Sequence, residues 1–216
     1  MYEPALFRVE EKAELIAFLR AYPLGLVIAQ GAEGLSADLI PFLVDDEGLS
    51  LRAHFARANP LLSTLATPQR VLVVFNGPQA YVRPGYYPSK AEHGRVVPTW
   101  NYAMVQASGM TRLHEDSGWI AGQVADLTAQ QEAGQPEPWT PTDAPKDYIQ
   151  AQMGAIVGLE IEISELRGKY KLSQNRSEPD RRGVLAGLAQ EKSHKTQAAA
   201  ELMAARRLSN GPEAQR

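Results

Sequence analysis

Between Leu24 and Ala56 three β-type runs follow one another with no room for a helix between them. LGLVIAQ (Leu24–Gln30) meets LSADLIPFLV (Leu35–Val44) across a Gly31–Gly34 turn, and Asp45-Asp46-Glu47-Gly48 turns the chain into LSLRAHFA. Parallel neighbours need a crossover of a dozen or more residues, so strands spaced this tightly pair antiparallel. The spacing predicts a three-stranded meander. Farther on, the β-branched run VLVVF (Val71–Phe75) reads as a buried strand, and AYV prolongs it past Gly77-Pro78. Trp100–Leu113 is a further strand, and IVGLEIEIS (Ile156–Ser164) alternates, with Leu159, Ile161 and Ile163 inward and Glu160 and Glu162 outward.

Helical signals lie around these runs. Glu10–Ala21 has helical apolar spacing and stops at Pro23. Asn59-Pro60 is a helix start for LLSTLA, Asp116 or Ser117 caps a helix reaching Glu132, and Lys146–Gly154 is short and helical. Ser177-Glu178-Pro179-Asp180 has capping-box spacing, and KTQAAAELMAARRL forms a last helix. Two segments stay irregular: Tyr81–Pro98, rich in Gly, Pro and aromatics, and the proline-laden stretch from Gly134 to Pro145. Six or more strands with few helices between them argue against a parallel βαβ fold. The expected class is α+β, mainly β: an antiparallel barrel with peripheral helices and a C-terminal helical extension.

Composition then removes function classes. The 216 residues, 44% hydrophobic and 22% charged, suit one substantial core with appendages. There is no cysteine, which excludes disulfide scaffolds, Cys-zinc sites, Fe–S clusters and thiol nucleophiles. No apolar run is long enough to span a bilayer, and MYEPALFRVEEKAELIAF lacks the basic and apolar regions of a secretion signal, so a cytoplasmic protein is expected. The four histidines fall singly and predict no metal site, and no phosphate-loop, dinucleotide, zincin or serine-hydrolase signature occurs. The net charge of −3 hides an asymmetry: residues 1–164 carry 11 basic and 19 acidic side chains, residues 165–216 carry 11 and 6. The basic quarter suits a polyanion, or equally an amphipathic helix with a solvated charged face.

Three clusters carry chemistry. In His54-Phe55-Ala56-Arg57-Ala58-Asn59-Pro60 a strand ends where a capped helix begins, a junction with free N–H groups. Arg57 adds a forked donor set suited to phosphate oxygens and His54 a further donor; a surface ion pair and a satisfied strand histidine explain the pair equally well. Tyr81–Tyr102 places Tyr81, Tyr86, Tyr87, Trp100 and Tyr102 among Lys90, Arg95 and Asn101, which suits a planar ring system or an ordered loop burying its aromatics. Lys169-Tyr170-Lys171-Leu172-Ser173-Gln174-Asn175 is dense in donors just after a strand, as a polar turn also is.

Five stretches, MYEPALF, HFARANP, FNGPQAYV, YPSKAEHGRVVPTWNY and KLSQN, occur in the order seen in the PaiB-like family, described as FMN-binding negative transcriptional regulators. The resemblance spans roughly residues 1–190. It implies a flavin-binding split β-barrel similar to pyridoxamine-phosphate oxidase, working as a homodimer with FMN at the subunit interface. The expected organisation is a flavin-binding split-barrel domain over residues 1–176 and a basic helical C-terminal extension over 177–216. Carried over by position, the phosphate falls near His54, Arg57 and Asn59. Lys90, Trp100, Asn101, Lys171, Ser173 and Gln174 lie around the same cleft. The chain departs from the family at Leu39, where a histidine is expected, and at Arg83-Pro84-Gly85-Tyr86-Tyr87, where the usual pattern is S-P-S-W-Y. The resemblance leaves three alternatives: an FMN-dependent oxidoreductase on a small substrate, whose catalytic residues the sequence does not identify; a repressor reading DNA through the basic C-terminal helices; and a haem protein using His54 or His194.

Overall fold

A computed structural model describes residues 1–209, with side chains described through Arg206. Residues 210–216 of the basic extension, and the side chain of Arg207, lie outside the described residues. The chain divides into two compact units: Glu11–Phe75 with Val105–Arg167, and Met1–Glu10 with Asn76–Met104 and the chain from Gly168 on.

Eight strands and seven helices are formed among the described residues. In chain order they are β1 (Arg8–Val9), α1 (Lys12–Ala21), β2 (Leu24–Gly31), β3 (Gly34–Pro41), β4 (Leu43–Val44), β5 (Ser50–Ala56), α2 (Leu61–Thr64) and β6 (Arg70–Val82). Then follow α3 (Ser89–His93), β7 (Thr99–His114), α4 (Ser117–Glu132), α5 (Lys146–Gly154), β8 (Ile156–Lys171), α6 (Glu178–Ala189) and α7 (His194–Ser209). The strand order is β3-β2-β6-β7-β8-β5-β4, with β1 added on β8, and every register is antiparallel where β1, β2, β4 and β5 pair. The sheet is open, as in a split barrel, with β3 and β4 as its ends. The expected fold class holds.

The expected meander does not. β2 and β3 form a hairpin and so do β4 and β5, but β5 pairs with β8, register His54 to Gly158, instead of pairing with β3. The break comes at Pro41-Phe42. Proline has no N–H to extend a ladder, the Phe42 N–H donates to Pro23 O at 2.9 Å, and the Phe42 ring is buried edge-on against Phe75 at 5.8 Å. The other elements follow their local signals. Asp116 caps α4 by accepting from Trp119 N at 2.8 Å, and Ser177 Oγ accepts from Asp180 N at 3.4 Å at the start of α6.

In the unit containing Glu11–Phe75, inward side chains of alternating strands meet Leu15, Phe18 and Leu19 of α1: Val27, Leu51, Ala53, Val73, Leu159 and Ile161 are all sealed from solvent. Each leucine or isoleucine so buried contributes about 1.5–3 kcal/mol. In the other unit the Tyr81–Pro98 loop is ordered by a 3-10 turn at Pro84–Tyr86 and by α3, and it docks on α6. Tyr86 lies over the Gly183–Gly187 notch with its hydroxyl on Glu191, and Asp180 accepts from Ser89 N at 3.1 Å and from Ser89 Oγ at 2.8 Å.

Candidate functional site

The candidate residues fall in both units, and each group has its own surroundings. In the first, the end of β5 and the turn to α2 carry His54, Arg57 and Asn59. His54 Nδ1 donates to Gln123 Oε1 at 2.6 Å, beneath α4; Gln123 is fully buried and its Nε2 has no partner. Arg57 Nε donates to Gly154 O at 3.2 Å, and its Nη1 lies 3.6 Å from the Glu115 carboxylate. Asn59 Oδ1 accepts from Leu61 N at 2.8 Å, and its Nδ2 donates to Asp38 Oδ1 at 3.3 Å. α2 is a single turn, shorter than the LLSTLA helix expected, and Asn59 occupies its first free N–H. The three side chains share a segment but hold three different protein partners.

Beside His54, α4 covers a second polar set. Trp119 lies against Gly158, where an added Cβ would stand 2.2 Å from the indole, and stacks on His114 at 4.1 Å with a 2° interplanar angle. His114 Nε2 bonds Glu160 Oε2 at 2.9 Å. Glycine at 158 is what lets a tryptophan lie flat on this strand.

The second unit brings five candidates together at the end of β8. Lys171 donates from Nζ to Thr99 Oγ1 and, at 2.7 Å, to Trp100 O. Ser173 has a left-handed backbone (φ 64°), unusual for a residue with a side chain, and its Oγ donates to Asn101 Oδ1 at 3.0 Å. Asn101 is fully buried. Gln174 closes the bend: its Oε1 accepts from Leu172 N at 2.6 Å and its Nε2 donates to Tyr170 O. Trp100 is half-exposed, edge-on to Tyr81 at 5.8 Å. Lys90 stands exposed on α3 and makes no side-chain bond to the others. The departures from the family pattern are accommodated locally: Arg83 lies 5.1 Å from the Tyr86 ring centre, and Leu39 is exposed.

This cluster is strongly cationic. Lys169 and Lys171 alternate onto one face of β8. Lys169 is only 8% exposed and lies between the Tyr2 and Tyr102 rings, with Nζ 5.4 and 5.3 Å from their centres. Arg176 lies over Tyr87 at 4.9 Å. Neither lysine has a carboxylate within ion-pair distance among the described residues. Burial, then the like charges of Lys169 and Arg176, hold the Lys171 ammonium below the ordinary lysine value of 10.5. A phosphate placed here would remove a repulsion the protein leaves unbalanced. The half-exposed Trp100–Tyr81 pair offers ring surface to a planar ligand. The donor set fits a phosphorylated aromatic cofactor.

Residues 1–165 match the family described as "Putative FMN-binding domain". The chain belongs to that family. FMN is the cofactor by which it is described, and the uncompensated lysines suit its phosphate. A protein of Emericella nidulans, itself uncharacterized, is 35% identical over 87% of this chain and 90% of its own length. The Bacillus subtilis "Protease synthase and sporulation protein PAI 2" is 29% identical over 94% of this chain and 96% of its own length. Among solved structures, a conserved hypothetical protein of Mycobacterium tuberculosis superposes with a TM-score of 0.59 at 14% identity, covering 82% of this chain and 94% of its own. The FAD and heme binding protein of Mycobacterium smegmatis superposes with a TM-score of 0.58 at 17% identity, covering 83% and 80%. At such identities the superpositions establish the fold.

From the sequence, Lys171, Ser173 and Gln174 are site candidates and Tyr102 and Lys169 belong to the aromatic and donor-rich runs, whereas Tyr2 and Arg176 carry no signal of their own. The signal for Lys169 was period-two alternation along β8, which turns residues 169 and 171 to the same side. Tyr2 carried no comparable local signal, because only the β1–β8 pairing of Arg8 with Lys169 brings the N-terminus there. The basic extension is less available than its charge suggests: Arg181 and Arg182 lie 3.9 and 3.0 Å from Glu178, and Arg206 lies over Tyr170. No described helix is long and apolar enough to cross a membrane.

Proposed function

We propose that this protein binds FMN and acts as a flavin-responsive negative regulator of transcription in the cytoplasm, as a homodimer with flavin at the subunit interface. The observation that carries the reading is the pair of partly buried lysines, Lys169 and Lys171, left without a carboxylate. In this reading Lys171 holds the flavin phosphate. The Asn101–Ser173 bond and the Gln174 turn fix the strand end that presents it, and Trp100 lies against the ring system. Arg57, with His54 and Asn59, is the second donor group, and Lys90 supplies charge from the exposed α3. When bound, FMN supplies the redox chemistry; the chain's own residues supply charge, orientation and exclusion of water. Residues 1–176 form the flavin-binding part, and 177–216 are its basic extension, in which α6 packs on the Tyr81–Pro98 loop and on α7.

The PAI 2 similarity over nearly the whole chain supports the regulatory reading. Direct DNA reading by the extension has less support, since its described arginines already have partners. The test compares FMN with riboflavin, which lacks only the phosphate. A hydrogen bond to a charged group contributes about 1.5–3 kcal/mol, so Lys171→Gln should weaken FMN about 10- to 100-fold while leaving riboflavin nearly unchanged. Arg57→Ala should act in the same sense. Absence of flavin binding by the native protein, read from its visible spectrum and flavin fluorescence, overturns the reading; equal losses for both ligands remove the phosphate assignment.

A further inference from the structure

Lys171 has the surroundings of a nucleophilic amine. The residue is half-buried at the end of β8, and its Nζ donates to Thr99 Oγ1 and, at 2.7 Å, to Trp100 O. Both acceptors are neutral. Among the described residues no carboxylate comes within ion-pair distance, and the charges that act on it, Lys169 and Arg176, have its own sign. Asp180, the carboxylate that feels the Arg176 charge, is already held by Ser89 N and Oγ at 3.1 and 2.8 Å. A lysine turns nucleophilic where burial and a neighbouring cation favour the uncharged amine. Both act on Lys171 in that direction.

The hydrogen bonds agree with this chemistry. An ammonium carries three N–H donors, a neutral amine two and a lone pair. Thr99 and Trp100 supply two acceptors, so in the neutral form both hydrogens are engaged and the lone pair is left for a reactant. The surroundings also select that reactant. Two cations without counter-ions favour an anionic group on it. Trp100, whose carbonyl holds Nζ, is 53% exposed with its ring edge-on to Tyr81 at 5.8 Å, a surface for a planar group.

We propose that Lys171 captures aromatic aldehydes bearing a carboxylate or phosphate, forming a Schiff base with them. The Nζ lone pair adds to the carbonyl carbon, making a C–N bond as the carbonyl electron pair moves to oxygen. The carbinolamine then expels that oxygen as water, which carries off both protons of the amine and leaves a C=N bond. Amine and aldehyde give imine and water, with no oxidant or reductant. Thr99 Oγ1, already bonded to Nζ, is placed to relay a proton from nitrogen to the departing oxygen. The site is the one assigned above to the flavin phosphate, and one consequence rests on that reading: FMN on Lys171 excludes the aldehyde.

The experiment treats full-length, flavin-free protein at pH 7 with 4-carboxybenzaldehyde and cyanoborohydride, which reduces the imine to a stable amine. Mass spectrometry of the peptides then maps the labelled lysines. Lys171 should be labelled at least about 10-fold faster than the exposed Lys12 and Lys146, through its free lone pair and the positioning of the aldehyde. Benzaldehyde, which has the ring without the charge, should show a smaller preference for Lys171 over Lys12. The fast phase should vanish in Lys171→Gln. Labelling spread evenly over the lysines overturns the proposal, as does an equal preference with both aldehydes. Should Lys171→Gln not fold, the peptide map of the native protein carries the same outcomes. Repeating the labelling under saturating FMN separates the two readings. Fast labelling that FMN leaves untouched refutes the phosphate assignment of Lys171 only. A flavin-binding protein whose Lys171, freed of flavin, reacts no faster than Lys12 refutes this inference only.

Discussion

Replacing Gly183 by alanine probes how the Tyr81–Pro98 loop is held. A Cβ at 183 would stand 2.1 Å from Tyr86 O and 2.9 Å from Pro88 Cδ. A carbon and a carbonyl oxygen approach to about 3.3 Å at best, so α6 and the loop must separate by more than 1 Å. The obstacle is backbone oxygen, which no rotamer change relieves. Overpacking of this kind costs about 1–3 kcal/mol, against which alanine gains up to about 1 kcal/mol over glycine inside a helix. The net expectation is about 0–2 kcal/mol of destabilisation, a fall in Tm of up to roughly 8 °C for a chain of this size. Gly122→Ala in α4 is the control, because nothing lies within 4 Å of its added Cβ. It should be neutral or stabilising. Differential scanning fluorimetry on both variants decides the matter. If Gly183→Ala melts as high as Gly122→Ala, the loop is not seated on α6 and the close approach of Tyr86 to the helix is wrong.

Two pH dependences follow from the same unit. Burial pushes the Asp180 carboxyl up, but the Ser89 hydroxyl and N–H bonds, Ser177 and the Arg176 charge together outweigh it and hold the group below 3.8. A depressed carboxylate contributes stability above its unfolded value, lost as pH falls through the folded one. Asp180→Asn should therefore cost about 1.5–3 kcal/mol at pH 7, a gap in denaturant midpoints that closes as pH falls below 4. A gap that does not narrow as pH falls from 7 towards 3 refutes the carboxylate's role. Lys171 has the opposite chemistry: its charged form is the one disfavoured by folding. The preference for FMN over riboflavin should thus decline with rising pH at values below 10.5, and the decline should vanish in Lys171→Gln.

Much of the fold was legible because its signals are local. Asp116 and Ser177 are caps at the predicted places, Lys146–Gly154 is helical at the predicted bounds, and the Leu159–Ile161 alternation buries the predicted side. Strand neighbours were not legible. That β5 joins β8 rather than β3 depends on Phe42 finding the Phe75 ring, a contact between residues far apart in sequence. The site shows the same division. The donors at 171–174 were visible as a dense polar run, whereas the rings around Lys169 come from positions 2 and 102, which no spacing rule connects. The strained Ser173 was invisible too, since serine has no marked preference for a left-handed backbone.

The charge asymmetry of the chain has a structural explanation that differs from its first reading. An excess of cations in the last quarter suggests a surface waiting for a polyanion. Among the described residues, five of those cations fall into two groups. Arg181 and Arg182 pair with Glu178 within α6, and Arg206 of α7 lies over the Tyr170 ring and donates to the Arg8 carbonyl. Lys169 and Lys171 instead sit on a strand, partly buried, faced by aromatic rings and neutral oxygens. Rings and carbonyls stabilise an ammonium without cancelling its charge, so the field stays positive where a ligand's phosphate would arrive. Had evolution needed these lysines only for packing, a carboxylate at Thr99 would have been the cheaper neighbour. Thr99→Glu should accordingly raise the Tm of the unliganded protein while abolishing its discrimination between FMN and riboflavin. A variant stabilised by that ion pair yet still selective for the phosphorylated flavin would show that the anion is recognised elsewhere.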